Sequence, residues 1–184
     1  MSPEMLRFAR QKARKSKVKV RFLRRDMRSL DFKREFELVT SWFDALNYLL
    51  TLKDLERTFK GVYTALRRQG LFIFDMNTIN ALSKVWQQYP STVELDTPEY
   101  FALHRPSYDK KRLIATLKIT GFIKRNGSWT RVDEAHREKG YTLTQIRRSL
   151  AKTGFRRLAL WGSIRKMTTP RHDARRVWVV AQRP

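Results

Sequence analysis

The chain has 184 residues, enough for one domain with its own core, and its 41% hydrophobic and 12% aromatic content argues against wholesale disorder. With 0 cysteines, disulfides and thiolate metal sites are excluded, and His104, His136 and His172 show no metal-ligand spacing, so no metal is expected. A formal net charge of +23 favours polyanions in a salt-sensitive way, while no apolar run reaches the roughly 18 to 20 residues that cross a bilayer.

The N-terminal segment is basic but lacks the apolar core of a signal peptide, so a cytoplasmic location with no membrane partner is the expectation. Arg7, Arg10, Lys12, Arg14, Lys15, Lys17, Lys19, Arg21, Arg24, Arg25 and Arg28 crowd this segment, and further Lys and Arg are spread along the later elements. A spread of this kind reads as a solvated surface, with a nucleic-acid face as the competing reading.

Helix-start signals open the chain. Ser2 is a good N-cap and Pro3 suits a first helical turn, where its missing N–H costs nothing. Met5, Leu6, Ala9 and Ala13 form the expected core stripe of a helix running to about Arg14. Val18, Val20 and Phe22 alternate with Lys19, Arg21 and Leu23, which predicts a short strand. The turn Arg25-Asp26-Met27-Arg28 follows. Residues 35–40 predict a second strand whose apolar content is continuous enough for burial on both faces.

Thr51-Leu52-Lys53-Asp54 is a capping-box variant that opens a strongly periodic helix. Its apolar face is Leu52, Leu55, Phe59, Val62, Tyr63 and Leu66, and Gly70 is its expected stop. Leu71-Phe72-Ile73-Phe74 then forms a third strand ending at Asp75. Strand, helix, strand with short connections is a parallel βαβ unit.

Beyond it, residues 78–88 read as helical and 90–109 as a polar, proline-marked, loop-rich insertion. Residues 113–124 and 128–137 predict a hairpin, with Asn126-Gly127 supplying the positive φ angles of its turn. Residues 144–152 form a short helix ended by Gly154, and 155–162 and 176–181 a pair of antiparallel strands. A single domain is expected, with a nucleotide-fold part (1–89), an insertion and hairpin (90–140), and a C-terminal helix with strands (141–184).

Several fragments carry a family resemblance. Ser2-Pro3-Glu4-Met5-Leu6, Asp26-Met27-Arg28, Phe36-Glu37-Leu38-Val39-Thr40 and Asp44-Ala45-Leu46-Asn47-Tyr48-Leu49 stand in order. Gly70-Leu71-Phe72-Ile73-Phe74-Asp75-Met76-Asn77, Glu134-Ala135-His136-Arg137, Tyr141-Thr142-Leu143, Gly154-Phe155 and Asp173-Ala174-Arg175-Arg176-Val177 continue the series. Together these resemble the class I S-adenosylmethionine-dependent methyltransferases, most closely those that modify small molecules such as glycine and aminosugars.

The resemblance implies an α/β fold: a Rossmann-like methyltransferase sheet, with an antiparallel hairpin lid and C-terminal antiparallel strands. It implies S-adenosylmethionine as cofactor and a small molecule as methyl acceptor. By the same resemblance Asp26, Met27, Ser41, Trp42 and Leu46 face the cofactor. Asn47, Tyr48, Asp75, Asn77 and Tyr141 face the acceptor. His136, on the hairpin, is the candidate base for the proton lost on methylation, since an imidazole titrates in the useful range.

The departures from the family matter as much. Its first two strands, its glycine-rich turn and the acidic residue that grips the ribose belong before residue 1, and no G-x-G follows a strand in this chain. Those two strands lie between the 18–23 strand and the 36–40 strand. Without them the sheet is expected to keep a slot about 10 Å wider than one normal spacing, or to rearrange its pairing. Arg24-Arg25 precede Asp26 where a small residue is usual, and Arg67-Arg68-Gln69-Gly70 replaces a proline-glycine turn.

The reading is therefore a truncated methyltransferase of impaired cofactor binding. A basic nucleic-acid-binding module, or a pseudoenzyme on a methyltransferase remnant, is the alternative, with Phe8, Trp42, Trp86, Trp129 and Trp161 as stacking candidates.

Overall fold

The computed structural model describes residues 3–184, so the Ser2 cap lies outside the described residues. Helix α1 spans Pro3–Lys15 and buries Leu6, with Ala9 and Ala13 half-buried beside it. Met5, expected in this stripe, is exposed instead. The chain then runs irregularly to a short 3₁₀ turn, Met27–Ser29.

Residues 18–23 do not form the predicted strand. Alternation prepares a strand, but a ladder needs a neighbour's N–H and C=O groups, and no described strand lies alongside. Val18, Val20 and Leu23 consequently stay exposed.

The parallel unit follows. β1 (Phe36–Ser41), α2 (Leu52–Ala65) and β2 (Leu66–Asn77) place Val39 beside Phe72 and Ser41 beside Phe74 in parallel register. Thr51 caps α2 by accepting from the Asp54 N–H at 3.1 Å. The helix ends at Ala65 rather than Gly70, and Leu66 starts β2 directly. Gly70 serves another purpose. A Cβ there would stand 2.9 Å from the Arg67 carbonyl oxygen and 3.2 Å from that of Glu37, so glycine permits β1 and β2 to close up.

β1 departs from the expectation of burial on both faces. Its outer edge pairs with nothing among the described residues, and Leu38 is 51% exposed.

β7 (Arg156–Trp161) and β8 (Arg176–Gln182) complete the first sheet in the order β1-β2-β8-β7; they are antiparallel to each other as expected, and β8 is antiparallel to β2 as well. Alternation sorts its faces. Phe72, Phe74, Val177, Val179 and Ala181 are buried with Leu55, Phe59 and Val62 of α2 and Ile146 and Leu150 of α3 (Leu143–Thr153). Phe59 stacks on Phe72 and Phe74 at 5.9 and 5.6 Å between centroids, and Phe155 meets Phe72 at 6.0 Å. Each fully buried aromatic of this kind contributes about 2–3 kcal/mol. α3 ends at Gly154, as read from the sequence, and starts with a capping box between Thr142 and Gln145 that the sequence reading did not name.

A second, antiparallel sheet takes the order β3-β4-β5-β6, from β3 (Thr92–Asp96), β4 (Tyr100–Asp109), β5 (Ile114–Arg125) and β6 (Ser128–Lys139). The predicted hairpin is β5–β6, turned by Asn126 and Gly127 with φ of 50° and 79°. The insertion at 90–109 is not loop-rich but supplies β3 and β4. Its polarity reflects exposure, and backbone pairing satisfies the ladder regardless of side chain. The expected helix at 78–88 is confined to residues 79–85, most of them the π-helical segment Ala81–Val85.

Gly140, just after β6, lies against Ile79 so closely that a Cβ would come within 2.7 Å of its Cγ1. That contact brings the end of β6 to the end of β2.

Candidate functional site

Three elements meet at the carboxyl ends of β1 and β2, where open α/β sheets bind ligands. They are the turn after β1, the end of β2, and the end of β6. Phe43 and Asp44 both adopt left-handed conformations, with φ of 56° and 52°, which is costly for a bulky phenylalanine. This strained turn aims Asp44 inward and starts the 3₁₀ segment Ala45–Tyr48.

Beneath the turn sits a buried polar network. Asn47 receives the Asn77 N–H on its Oδ1 at 3.0 Å. Its Nδ2 donates to the carbonyls of Asn77 and Lys139 at 3.0 and 2.9 Å. Asn77 Nδ2 donates to Glu138 Oε2 at 2.9 Å. Arg176, directly opposite Asn77 in the β2–β8 ladder, donates to Asp44 Oδ1 at 2.8 Å, to Asn77 Oδ1 at 3.2 Å, and to Asp75 Oδ2. Asp75 is 3% exposed; its Oδ2 also receives the Asp44 N–H at 3.3 Å, and its Oδ1 is buried without a partner.

Burial pushes the Glu138 carboxyl up to about 8, Asp44 pushes it the same way, and the Asn77 hydrogen bond opposes them. At neutral pH Glu138 therefore holds its proton for most of the time, which leaves the Arg176 guanidinium to balance Asp44 and Asp75.

Tyr48, next to Asn47 in the chain, opens onto a separate cleft of about 740 Å³, lined also by Asp26, Met27, Arg28, Leu49 and Asp54 among others. Asp26 caps the Met27–Ser29 turn and receives Arg28 through its backbone N–H at 2.9 Å and its guanidinium at 2.7 Å. Those bonds hold its carboxyl down at about 2, so it is ionised throughout the physiological range. Met27 is half-buried and packs on the main core.

Tyr48 faces this cleft from the other side and is 46% exposed. Its hydroxyl lies 3.0 Å from His136 Nδ1, and His136 Nε2 lies 3.0 Å from Glu134 Oε2. Burial raises the Tyr48 phenol above its ordinary value, reinforced by the charges of Glu138, Asp44 and Glu134.

The sequence-named residues thus divide. Asp26, Met27 and Tyr48 share one cleft, and His136 stands behind Tyr48. Asn47, Asp75 and Asn77 belong to the buried network. Leu46 lies in the hydrophobic core, while Ser41 and Trp42 stand at the end of β1 and do not line this cleft. Tyr141 is buried, with its hydroxyl on the carbonyls of Leu49 and Thr51, the latter at 3.0 Å. It braces the segment entering α2, and burial raises its phenol.

Sequence reasoning missed Asp44, Glu134, Glu138 and Arg176. Glu134 had a signal, since residues two apart share a face of a strand. Of the basic residues near the N-terminus, Arg10, Arg14, Lys19 and Arg21 line a separate groove of about 630 Å³ between α1 and residues 18–22.

Asp26 and Met27 set a carboxylate, both of whose oxygens accept from Arg28, beside a half-buried thioether in this cleft. The chain's 7 glycines include no two that are two positions apart, so no G-x-G cradle for the methionine end is present.

Comparison with known proteins bears on the family and the fold. A family model described as a methyltransferase domain matches residues 1–70. "Putative methyltransferase YqeM" of Bacillus subtilis (strain 168) is 30% identical over 157 residues, which are 84% of this chain and 62% of that protein. A relative from Geobacillus sp. (strain WCH70), GWCH70_2453, is 28% identical over 188 residues, 100% of this chain and 73% of its own. The chain thus spans less than two thirds of YqeM.

The crystal structure of an S-adenosylmethionine-dependent methyltransferase from Clostridium acetobutylicum ATCC 824 superposes with a TM-score of 0.86 at 26% identity, over 99% of this chain and 72% of that one. CalS10, an amino pentose methyltransferase from Micromonospora echinaspora solved with S-adenosylmethionine bound, shares the fold at a TM-score of 0.69 and 18% identity, over 100% of this chain and 72% of its own. With the α/β sheet already described, these findings show that the chain is similar, in sequence and in fold, to class I S-adenosylmethionine-dependent methyltransferases.

Proposed function

We propose that the chain serves methyl transfer to a small molecule, and that its open cleft is where cofactor and acceptor meet. The observation that carries this reading is the convergence of Asp26 and Met27 with Tyr48 on one cleft. In this reading Asp26 and Met27 hold the adenine end of the cofactor. S-adenosylmethionine, when bound, supplies an electrophilic methyl group on its sulfonium.

The remaining work falls to the chain's own residues, chiefly positioning, since in-line transfer gains most from proximity and orientation. Tyr48 orients the acceptor, and the network of Asp44, Asp75, Asn77, Glu138 and Arg176, joined by Asn47, anchors the 3₁₀ segment that carries it. The absence of a G-x-G cradle supports a second element of the proposal: this chain by itself binds S-adenosylmethionine weakly.

Calorimetric titration of the chain with S-adenosylhomocysteine tests both elements. The expected result is binding no tighter than about 1 mM, or about −4 kcal/mol. Low-micromolar binding contradicts the weak-cofactor element. Binding unaffected by Asp26→Ala contradicts the assignment of the cleft.

A further inference from the structure

The sequence assigns the acceptor's proton to His136, but both nitrogens of that imidazole are already engaged. Nε2 lies 3.0 Å from Glu134 Oε2, and a carboxylate can only accept, so Nε2 carries the hydrogen. Nδ1 is then the lone-pair nitrogen, and at 3.0 Å it receives the Tyr48 hydroxyl. This arrangement satisfies every atom of the chain Tyr48–His136–Glu134 with one hydrogen each.

The rings add to it, meeting edge to face at 6.0 Å and 88°. Glu134 and His136 are two apart on β6, so strand alternation puts them on one face, and the 3₁₀ turn after β1 delivers Tyr48 to them. His136 has no ring nitrogen left for a substrate. Tyr48, by contrast, uses only its O–H bond in this chain, and its oxygen lone pairs remain free on a side chain that lines the cleft.

We propose that Tyr48, rather than His136, meets the methyl acceptor, and that its hydroxyl passes the acceptor's proton on to His136. The proposal rests on the reading of the cleft given above. The step balances as two linked transfers. The acceptor's X–H bond (X being nitrogen or oxygen) breaks as a new O–H bond forms on Tyr48 Oη. The original Tyr48 O–H bond breaks as N–H forms on His136 Nδ1. The resulting imidazolium is held by Glu134 and returns its proton to water through the partly exposed ring. Because burial and nearby carboxylates keep the phenol protonated, Tyr48 acts by handing on a proton as it receives one, and phenolate is never its resting state.

The test needs neither cofactor nor activity. Imidazole ¹⁵N resonances of His136 are followed in the whole chain during titration with methylammonium, a small N–H donor. In the wild type, Nδ1 is expected to resonate as a hydrogen-bonded lone-pair nitrogen, and methylammonium is expected to shift it by binding at Tyr48 Oη. In Tyr48→Phe, which keeps the ring and removes only the hydroxyl, Nδ1 is expected to move toward the unbonded position, and the methylammonium response is expected to vanish. A response that survives in Tyr48→Phe means the donor reaches His136 directly and overturns the proposal. So does a wild-type Nδ1 that carries hydrogen, or one indifferent to methylammonium. S-adenosylhomocysteine binding that is unaffected by Asp26→Ala would strike the cleft assignment alone and leave these resonances unchanged.

Discussion

Arg176→Met isolates the buried network and yields the sharpest stability prediction. Arg176 is the common donor to Asp44, Asp75 and Asn77, and the linear methionine keeps much of its packing. Its loss leaves Asp75 buried, with Oδ1 already unpartnered and only the Asp44 N–H on Oδ2. Breaking a buried pair by removing one partner costs about 3–5 kcal/mol. The Arg176 side chain is 29% exposed, so water screens part of this, and the expected loss is about 2–3 kcal/mol.

For a chain of this length that corresponds to a Tm drop of about 5–10 °C. Scanning calorimetry and urea unfolding at pH 7 read it. Adding Asp75→Asn removes the stranded charge, and the double variant is expected to recover at least about 1 kcal/mol relative to Arg176→Met. A single variant within about 0.5 kcal/mol of wild type, or a double variant less stable than the single, refutes the claim that this cluster pairs buried charges.

Three further outcomes follow from the same geometry. Glu138 titrates near 8 when folded against an ordinary 4.5, so the folded state keeps a proton the unfolded chain releases. Stability is therefore expected to fall as pH rises from about 4.5 to about 8, by a few kcal/mol, in urea unfolding as a function of pH; Glu138→Gln should flatten that slope, and an unchanged slope in the variant counts against it. Asp26 titrates near 2 because of Arg28, and its stabilisation is present above about pH 3.8 and lost as pH falls through 2. Arg28→Met is expected to return its carboxyl ¹³C midpoint toward 3.8, and a midpoint that stays near 2 contradicts the cause. Gly154 has φ +111°, and a Cβ there would lie 3.0 Å from the Tyr63 ring, so Gly154→Ala should cost more than about 1 kcal/mol by thermal unfolding; a neutral result would show that the helix end adjusts freely.

What the sequence made legible was local. Thr51 announced α2 and Gly154 the end of α3 because helix ends are a matter of neighbouring atoms. Asn126-Gly127 announced the β5–β6 turn because only a positive-φ pair closes it. The alternation at 18–23 was equally visible and formed no strand, since pairing depends on a neighbour that alternation does not provide. β3 and β4 escaped notice for the opposite reason: they are held by backbone ladders while their polar side chains face water.

The site follows the same division. Asp26 and Tyr48 were named, and the fold brings both to one cleft. The tie from Asp44 to Arg176, 132 residues away, is made by the β2–β8 pairing, and no local pattern encodes it. His136 was visible as an imidazole on the hairpin. That both of its nitrogens are occupied emerges only when β6 meets the turn after β1.

The most direct test is an amide chemical-shift map of the ¹⁵N-labelled chain titrated with S-adenosylhomocysteine to millimolar concentration. The resonances of Asp26, Met27, Tyr48 and Leu49 are expected to move together along one curve that is still rising at the highest concentration. Shifts centred instead on the Arg10–Arg14 groove, or no shift at these four positions, would contradict the placement of methyl-transfer chemistry in this cleft.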